Sequence, residues 1–212
     1  MNLKLFVAVS AASIAIATVA STSVGAYTLL GYSWAQPTVP YYINPANMDL
    51  PTTAIEPAIR TGADAWRAQS GASFAFAFAG YSSQATNTND GINLIMFRNA
   101  SSGSALATTY TWFSGSRMID ADIVFWDAGF QFFTGSSGCS GGFFVEDVAT
   151  HEFGHALGLG HSTVATATMY PSISTCSQQS RTLDADDIAA VRSLYPPSVA
   201  PPIAPTRLRI IR

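Results

Sequence analysis

Apolar residues recur along this chain at two spacings, which predict strands and helices respectively. Phe74, Phe76 and Phe78 are separated by alanines, an alternation that is typical of a half-buried strand. Four other apolar runs, separated by polar or turn-forming residues, predict strands over 39–43, 92–97, 106–112 and 121–126. The first part of the chain is therefore expected to supply a sheet.

Apolar residues three or four positions apart predict helices over 53–69, 144–157 and 184–195. Thr53 and Glu56 have the spacing of a capping box at the start of the first helix. The second helix should end at Gly158, because glycine tolerates the positive φ of a helix C-terminus. Since most strands precede the last two helices, the order predicts an α+β fold.

Residues 1–26 are typical of a secretory signal peptide. Lys4 supplies the positive charge, residues 5–20 are almost unbrokenly apolar, and Val24-Gly25-Ala26 offers small residues for cleavage. A retained membrane anchor is the alternative, but the apolar run is short for a span of about 20 residues. We therefore expect a secreted protein, either extracellular or periplasmic.

The expected mature domain covers 27–196, and a proline-rich linker and tail covers 197–212. Charged residues make up only 11% of the chain, against about 25% in an average globular protein. The formal net charge is −3 and Lys4 is the single lysine, so no basic patch is available to bind nucleic acid. Two cysteines are too few for an all-cysteine zinc site.

All three histidines lie in one stretch, His151-Glu152-Phe153-Gly154-His155-Ala156-Leu157-Gly158-Leu159-Gly160-His161. His151 and His155 are four residues apart, so on a helix their imidazoles share one face and can bind one metal ion. A turn at Gly158 would bring His161 back as a third ligand. Three neutral imidazoles leave a fourth position open for water, which is typical of a catalytic zinc site.

Glu152 follows the first ligand but points about 100° away around the helix. It should therefore lie beside the metal and accept a proton from the metal-bound water. The alternative is that these are ordinary core or surface histidines, but the glycine and the third histidine at fixed offsets make coincidence a poor explanation.

This stretch resembles the metzincins and, among them, the matrixins, the matrix metalloproteinase family. Ser162 directly follows the third histidine, and Met169-Tyr170-Pro171 is similar to the family's Met-turn and the S1′ wall after it. Asp186-Asp187 resembles the start of the family's C-terminal helix, where the aspartates would tie the helix to neighbouring backbone. The resemblance implies a twisted, mostly parallel five-stranded sheet with one antiparallel edge strand.

The resemblance also implies a zinc endopeptidase, with one catalytic zinc, protein or peptide substrates and a monomeric domain. Residues 106–110 would form the edge strand against which an extended peptide pairs. A binding or structural module with an idle zinc site is the alternative from a different class. A zinc hydrolase acting on non-peptide amides is a third.

The chain departs from the family in several places. It lacks the histidines of a second, structural zinc, and Ile173 stands where an aromatic residue often lines the pocket. Calcium is a further candidate ligand through Asp120, Asp122 or Asp127. A solvated strand edge accounts for those aspartates equally well.

Two further expectations concern residues on either side of the histidines. Cys139 and Cys176 should form a disulfide in an oxidising compartment. Asp147 lies one helical turn before His151, so its carboxylate either lines the S1′ pocket or only offsets the helix dipole.

Overall fold

The computed structural model describes residues 26–198. The predicted signal peptide, apart from Ala26, and the predicted tail beyond Ser198 lie outside the described residues. The strands are β1 Thr38–Asn44, β2 Ala75–Tyr81, β3 Leu94–Arg98, β4 Ala107–Ser114, β5 Arg117–Trp126, β6 Phe132–Phe133 and β7 Phe143–Phe144. The helices are α1 Thr52–Ser70, α2 Val145–Leu157 and α3 Ala185–Leu194, with a 3₁₀ helix at Gln179–Arg181. Within 26–198 no helix has the length and apolarity needed to cross a membrane.

Five strands form one sheet in the order β2-β1-β3-β5-β4. All neighbours are parallel except β4, which pairs antiparallel with β5 at one edge. This confirms the predicted α+β class and the mostly parallel sheet with one antiparallel edge strand. The separate pair of β6 and β7 is not predicted, because strands of two residues leave no periodic pattern.

The first helix forms as its apolar spacing predicts, but the capping box at its start is wrong. Pro51 occupies the N-cap position and no side chain caps the helix. Glu56 instead binds Arg60 within the helix and the hydroxyl of Tyr81 on β2. A carboxylate engaged by these partners does not return to the N-cap backbone.

The second helix is buried on most sides, and glycine allows its closest approach to α1. A Cβ on Gly62 would lie 2.9 Å from the backbone nitrogen of Thr150, nearer than real Cβ atoms come. Trp66 donates from Nε1 to the Thr150 carbonyl at 2.8 Å. On the sheet side, the Phe153 ring packs 5.2 Å from Tyr41 and 4.8 Å from Phe76, measured between centroids.

The last helix begins with a capping box. The Asp184 side chain accepts from backbone nitrogens of the first helical turn, and the Asp187 side chain accepts from the Asp184 nitrogen. Asp187 also accepts from the backbone nitrogens of Thr168 at 2.7 Å and Met169 at 3.0 Å. Asp186 accepts from the Ser162 hydroxyl at 2.6 Å. The paired aspartates therefore tie α3 to the chain after the histidines, as the resemblance implies.

Asp120 and Asp122 within β5 and Asp127 directly after it are buried, so the alternative of a solvated strand edge is wrong. Asp120 accepts from the backbone nitrogens of Asp90 and Gly91, and Asp122 from that of Leu94. Asp127 accepts from the Met48 nitrogen. Each carboxylate therefore fixes a loop, because charged acceptors make strong hydrogen bonds to backbone N–H groups.

Cys139 and Cys176 form a disulfide across a sequence separation of 37 residues. The bond joins the loop before α2 to the segment that follows Met169. The Cys176 nitrogen also donates to the Gly142 carbonyl at 2.8 Å, so the two segments are held together twice.

We predict that replacing both cysteines by serine lowers the free energy of unfolding by about 3–4 kcal/mol, because the unfolded chain regains the entropy of an open loop. Urea unfolding of the two proteins measures the difference. A thiol assay on unfolded, unreduced wild type should find no free thiol, and two free thiols would refute the bridge.

Candidate active site

Three imidazoles converge at the C-terminal end of α2. The ring centroids of His151 and His155 lie 4.8 Å apart, and His161 lies 5.3 Å from the first and 4.9 Å from the second. One nitrogen from each ring falls within 4.8 Å of the other two, a grouping that can hold a metal ion. The helical spacing and the turn at Gly158 together produce this grouping, as the sequence predicts.

Two of the imidazoles are fixed by backbone carbonyls on their far side. Nδ1 of His151 lies 2.7 Å from the Thr168 carbonyl oxygen, and Nδ1 of His155 lies 2.8 Å from that of Leu159. A carbonyl oxygen only accepts, so Nδ1 carries the proton in both rings. The lone pair of each Nε2 is therefore free to bind a cation.

Burial keeps these two rings neutral. It lowers the pKa of His151 to about 4, and burial followed by the charge of His151 lowers the pKa of His155 to about 4. Neutral imidazole is the form that binds zinc. The donor set, its tautomers and its protonation state therefore all fit a zinc ion.

The turn that returns His161 requires glycine at position 158. Gly158 caps α2 with a φ of 103°, and a Cβ there would lie 2.2 Å from the Tyr32 carbonyl oxygen. The N-terminal segment holds this turn through bonds from the Leu30 nitrogen to the Gly158 carbonyl and from the Gly160 nitrogen to the Thr28 carbonyl, both 2.8 Å.

Glu152 is only 6% exposed and lines the same cleft as the histidines. Thr109 on β4 donates its hydroxyl to Oε2 of Glu152 at 2.6 Å. Burial raises the pKa of the Glu152 carboxyl, an effect partly offset first by His155 and then by the Thr109 hydrogen bond. A raised pKa suits a group that must accept a proton and release it again.

Met169 lies directly beneath the active-site helix. A Cβ on Gly154 would come within 2.2 Å of its sulfur, so glycine is required for the methionine to pack there. The Met169 carbonyl accepts from the Ser162 nitrogen at 2.9 Å, closing a turn between the third histidine and the methionine. The floor and the histidines are thus one connected unit.

An open cleft of about 590 Å³ surrounds the histidines and Glu152. One rim is formed by β4, including Ala107 and Thr109, and the other by the segment from Tyr170 to Ile173. β4 is the edge strand of the sheet, and among the described residues no further strand pairs with its outer edge.

Asp147 lines the cleft but is completely buried. Its Oδ2 accepts from Nε of Arg181 at 2.5 Å and its Oδ1 from the Ser180 nitrogen at 3.2 Å. Arg181 also lies 3.2 Å from a Glu146 carboxylate oxygen. Asp147 is therefore neither a free pocket charge nor only a helix-end charge, because an arginine compensates it.

The sequence missed two of these contacts, Thr109 with Glu152 and Arg181 with Asp147. The partners are 43 and 34 residues apart and belong to no shared motif. The threonine lies in the predicted edge strand, but nothing in the sequence pairs its hydroxyl with a particular residue on α2.

Comparisons with known proteins agree on one family. The matrixin peptidase family model matches residues 33–196. Karilysin of Tannerella forsythia is 33% identical over 178 residues, which cover 80% of this chain and 34% of karilysin.

Two shorter matches are closer in identity. Matrilysin of Rattus norvegicus is 50% identical over 48 residues, or 23% of this chain and 18% of matrilysin. Metalloendoproteinase 4-MMP of Arabidopsis thaliana is 51% identical over 51 residues, or 24% of this chain and 15% of that protein. The chain thus spans about a third or less of the length of these relatives. With a family model that covers most of its length, the chain belongs to the matrixin peptidase family.

Proposed function

We propose that this chain is a secreted zinc-dependent endopeptidase that hydrolyses peptide bonds with Glu152 as general base. One observation carries the proposal: three imidazoles that fit zinc converge beside a buried carboxylate in an open cleft. Family membership supports it, because relatives carry names such as metalloendoproteinase.

In this proposal His151, His155 and His161 hold the zinc ion. Bound zinc supplies a Lewis acid that lowers the pKa of its water and polarises the scissile carbonyl. The carbonyls of Thr168 and Leu159 keep two of the rings in the tautomer that leaves Nε2 free. Met169 packs under the helix at Gly154, between the first two of these histidines, and its carbonyl is bonded to the residue after the third.

Glu152 accepts the proton of the attacking water and passes it to the leaving amine. Its burial supports this role, since a carboxyl with a raised pKa holds a proton long enough to transfer it. The amine then leaves with the proton that the water gave up, so Glu152 is an ionised carboxylate again at the end of a turnover.

The substrate binds extended along β4, adding a strand to the edge of the sheet. Tyr170 and Pro171, on the opposite rim, form the wall of the S1′ pocket, with Ile173 further along the same wall. The disulfide at Cys176 anchors the segment that carries this wall.

Export rests on the sequence of residues 1–26, and the disulfide supports it, because disulfides persist in oxidising compartments. We propose a mature domain over 27–196, followed by a linker and tail over 197–212, that acts as a monomer. A metal-holding module without activity is the alternative. Holding a metal requires only the imidazoles, so the buried carboxylate of Glu152 beside them favours the enzyme.

We predict that Glu152→Ala retains about one zinc per chain and loses at least ~10²-fold of its activity on denatured casein, because it lacks the base but keeps the imidazoles. His155→Ala should lose both zinc and activity. Metal analysis and casein cleavage, with and without a chelator, measure both effects.

Wild type stripped by chelator and reloaded with zinc serves as the control. Near-normal cleavage by Glu152→Ala would overturn the mechanism, and cleavage that survives complete removal of metal would overturn the proposed function. Hydrolysis of small amides without any cleavage of casein would favour the non-peptide alternative.

Asp147 offers a prediction about specificity. We expect Asp147→Asn to leave the P1′ preference unchanged, because Arg181 already compensates the carboxylate, and to destabilise the fold by about 1–3 kcal/mol. Cleavage-site profiling on a peptide mixture measures the preference. Ile173→Ala is the positive control, because the shorter side chain should enlarge the pocket and change the P1′ preference. Loss of a basic P1′ preference in Asp147→Asn would contradict the prediction.

Calcium is a second proposed ion. One carboxylate oxygen of Asp120 and one of Asp127 are buried without a hydrogen-bond partner among the described residues, and a cation beside either would compensate it. We expect calcium, but not magnesium, to raise the unfolding temperature of the zinc-loaded protein. Calcium without effect on wild type would remove the ion from the proposal.

A further inference from the structure

A single hydroxyl joins the edge strand to the carboxylate of the proposed base. Thr109 Oγ1 lies 2.6 Å from Oε2 of Glu152 and 3.1 Å from the backbone carbonyl oxygen of the same residue. Among residues 26–198 no other side chain donates to this carboxylate within hydrogen-bond distance. The contact joins β4 to α2, which otherwise meet only through packing at this point.

Strand register explains why this threonine faces the helix. Successive side chains of a strand point to opposite faces of the sheet. Thr108, the preceding residue, accepts a bond from Trp126 Nε1 at 2.9 Å, and Tyr110, the following one, packs with the small cluster around Trp126. Thr109, which pairs with Ile123 on β5, is therefore directed to the other face, where α2 lies.

We propose that Thr109 is a positioning residue that holds the Glu152 carboxylate in one orientation for proton transfer. The proposal rests on the proposed function, in which Glu152 is the base. A glutamate side chain has three rotatable bonds, and a hydrogen bond to Oε2 leaves Oε1 as the oxygen free to meet the attacking water. Proton transfer depends strongly on such geometry.

The same hydroxyl serves both states of the base. When Glu152 is ionised, Thr109 donates to Oε2. When Glu152 carries the proton, the hydroxyl can turn to donate to the Glu152 carbonyl, and its oxygen then accepts from the protonated carboxyl. A valine has the same shape and can do neither, so the substitution separates the hydroxyl from the packing.

The test compares Thr109→Val and Thr109→Ser with the wild type in the full chain, using denatured casein as the substrate. We expect the valine variant to lose about ten-fold in kcat, as a lost hydrogen bond to a charged group implies. KM and zinc content should stay at the wild-type values. The serine variant should recover kcat, because it restores the hydroxyl without the methyl group.

Thr150→Val is the matched control. Thr150 is a buried threonine of the same helix α2, and its hydroxyl donates to the Glu146 carbonyl at 2.7 Å. Its backbone faces Gly62 of α1, and it does not line the cleft. The variant should keep the wild-type kcat. A loss equal to that of Thr109→Val would overturn the proposal, since any buried threonine would then have the same effect.

The stability of the zinc-free protein provides a second test that does not depend on activity. Urea unfolding of wild type, Thr109→Val, Glu152→Ala and the double variant forms a cycle that measures how the two residues depend on each other. We expect Thr109→Val to lower the unfolding midpoint when Glu152 is present and to have a smaller effect in Glu152→Ala. Equal effects in both backgrounds would overturn the contact.

The outcomes separate the two proposals. If Glu152→Ala is inactive and Thr109→Val is as active as wild type, only the role of Thr109 is refuted. If Thr109→Ser stays as slow as Thr109→Val, or if Thr109→Val loses zinc, the hydroxyl does not act through the base and the role is again refuted. If Glu152→Ala remains active, both proposals are overturned.

Discussion

The site depends on how closely α2 approaches the elements around it. Two positions make this approach possible, Gly62 on α1 and Gly154 on α2 itself, because a Cβ on either would overlap a neighbouring atom. Close packing against Trp66 and Met169 then fixes the helix in rotation and depth. Once α2 is fixed, the directions of two imidazoles and of Glu152 follow from helical geometry.

Buried carboxylates organise the loops of a chain that has few charges. Asp120 and Asp122 hold the segment before β3, and Asp187 holds the turn that carries Met169. Each of them accepts from backbone N–H groups, which compensates part of the cost of burial. For Asp147 the donor is a side chain, the Arg181 guanidinium, which compensates the buried carboxylate. Several loops of the described chain are therefore shaped by ionic groups although the sequence has few of them.

The floor and the two rims of the cleft are held in place by different interactions. The floor and the imidazoles belong to α2 and the turn after it, which are buried and bonded to α3. One rim is β4, the edge strand of the sheet among residues 26–198, and the other is a segment held by the disulfide at Cys176. A rigid centre with one rim able to pair with an extended chain is what binding of a peptide requires.

The sequence by itself determined the five strands of the main sheet, the three α-helices and the candidate ligands. The spacing of His151, His155 and His161 with Gly158 depends on helical periodicity and on the conformational freedom of glycine, which are local properties. The tertiary structure decided which groups meet these residues from elsewhere in the chain. It paired Thr109 with Glu152, Arg181 with Asp147, and Thr168 with His151. It also replaced the expected capping box and buried the aspartates of β5, because packing and desolvation act between segments whose separation along the chain carries no periodic signal.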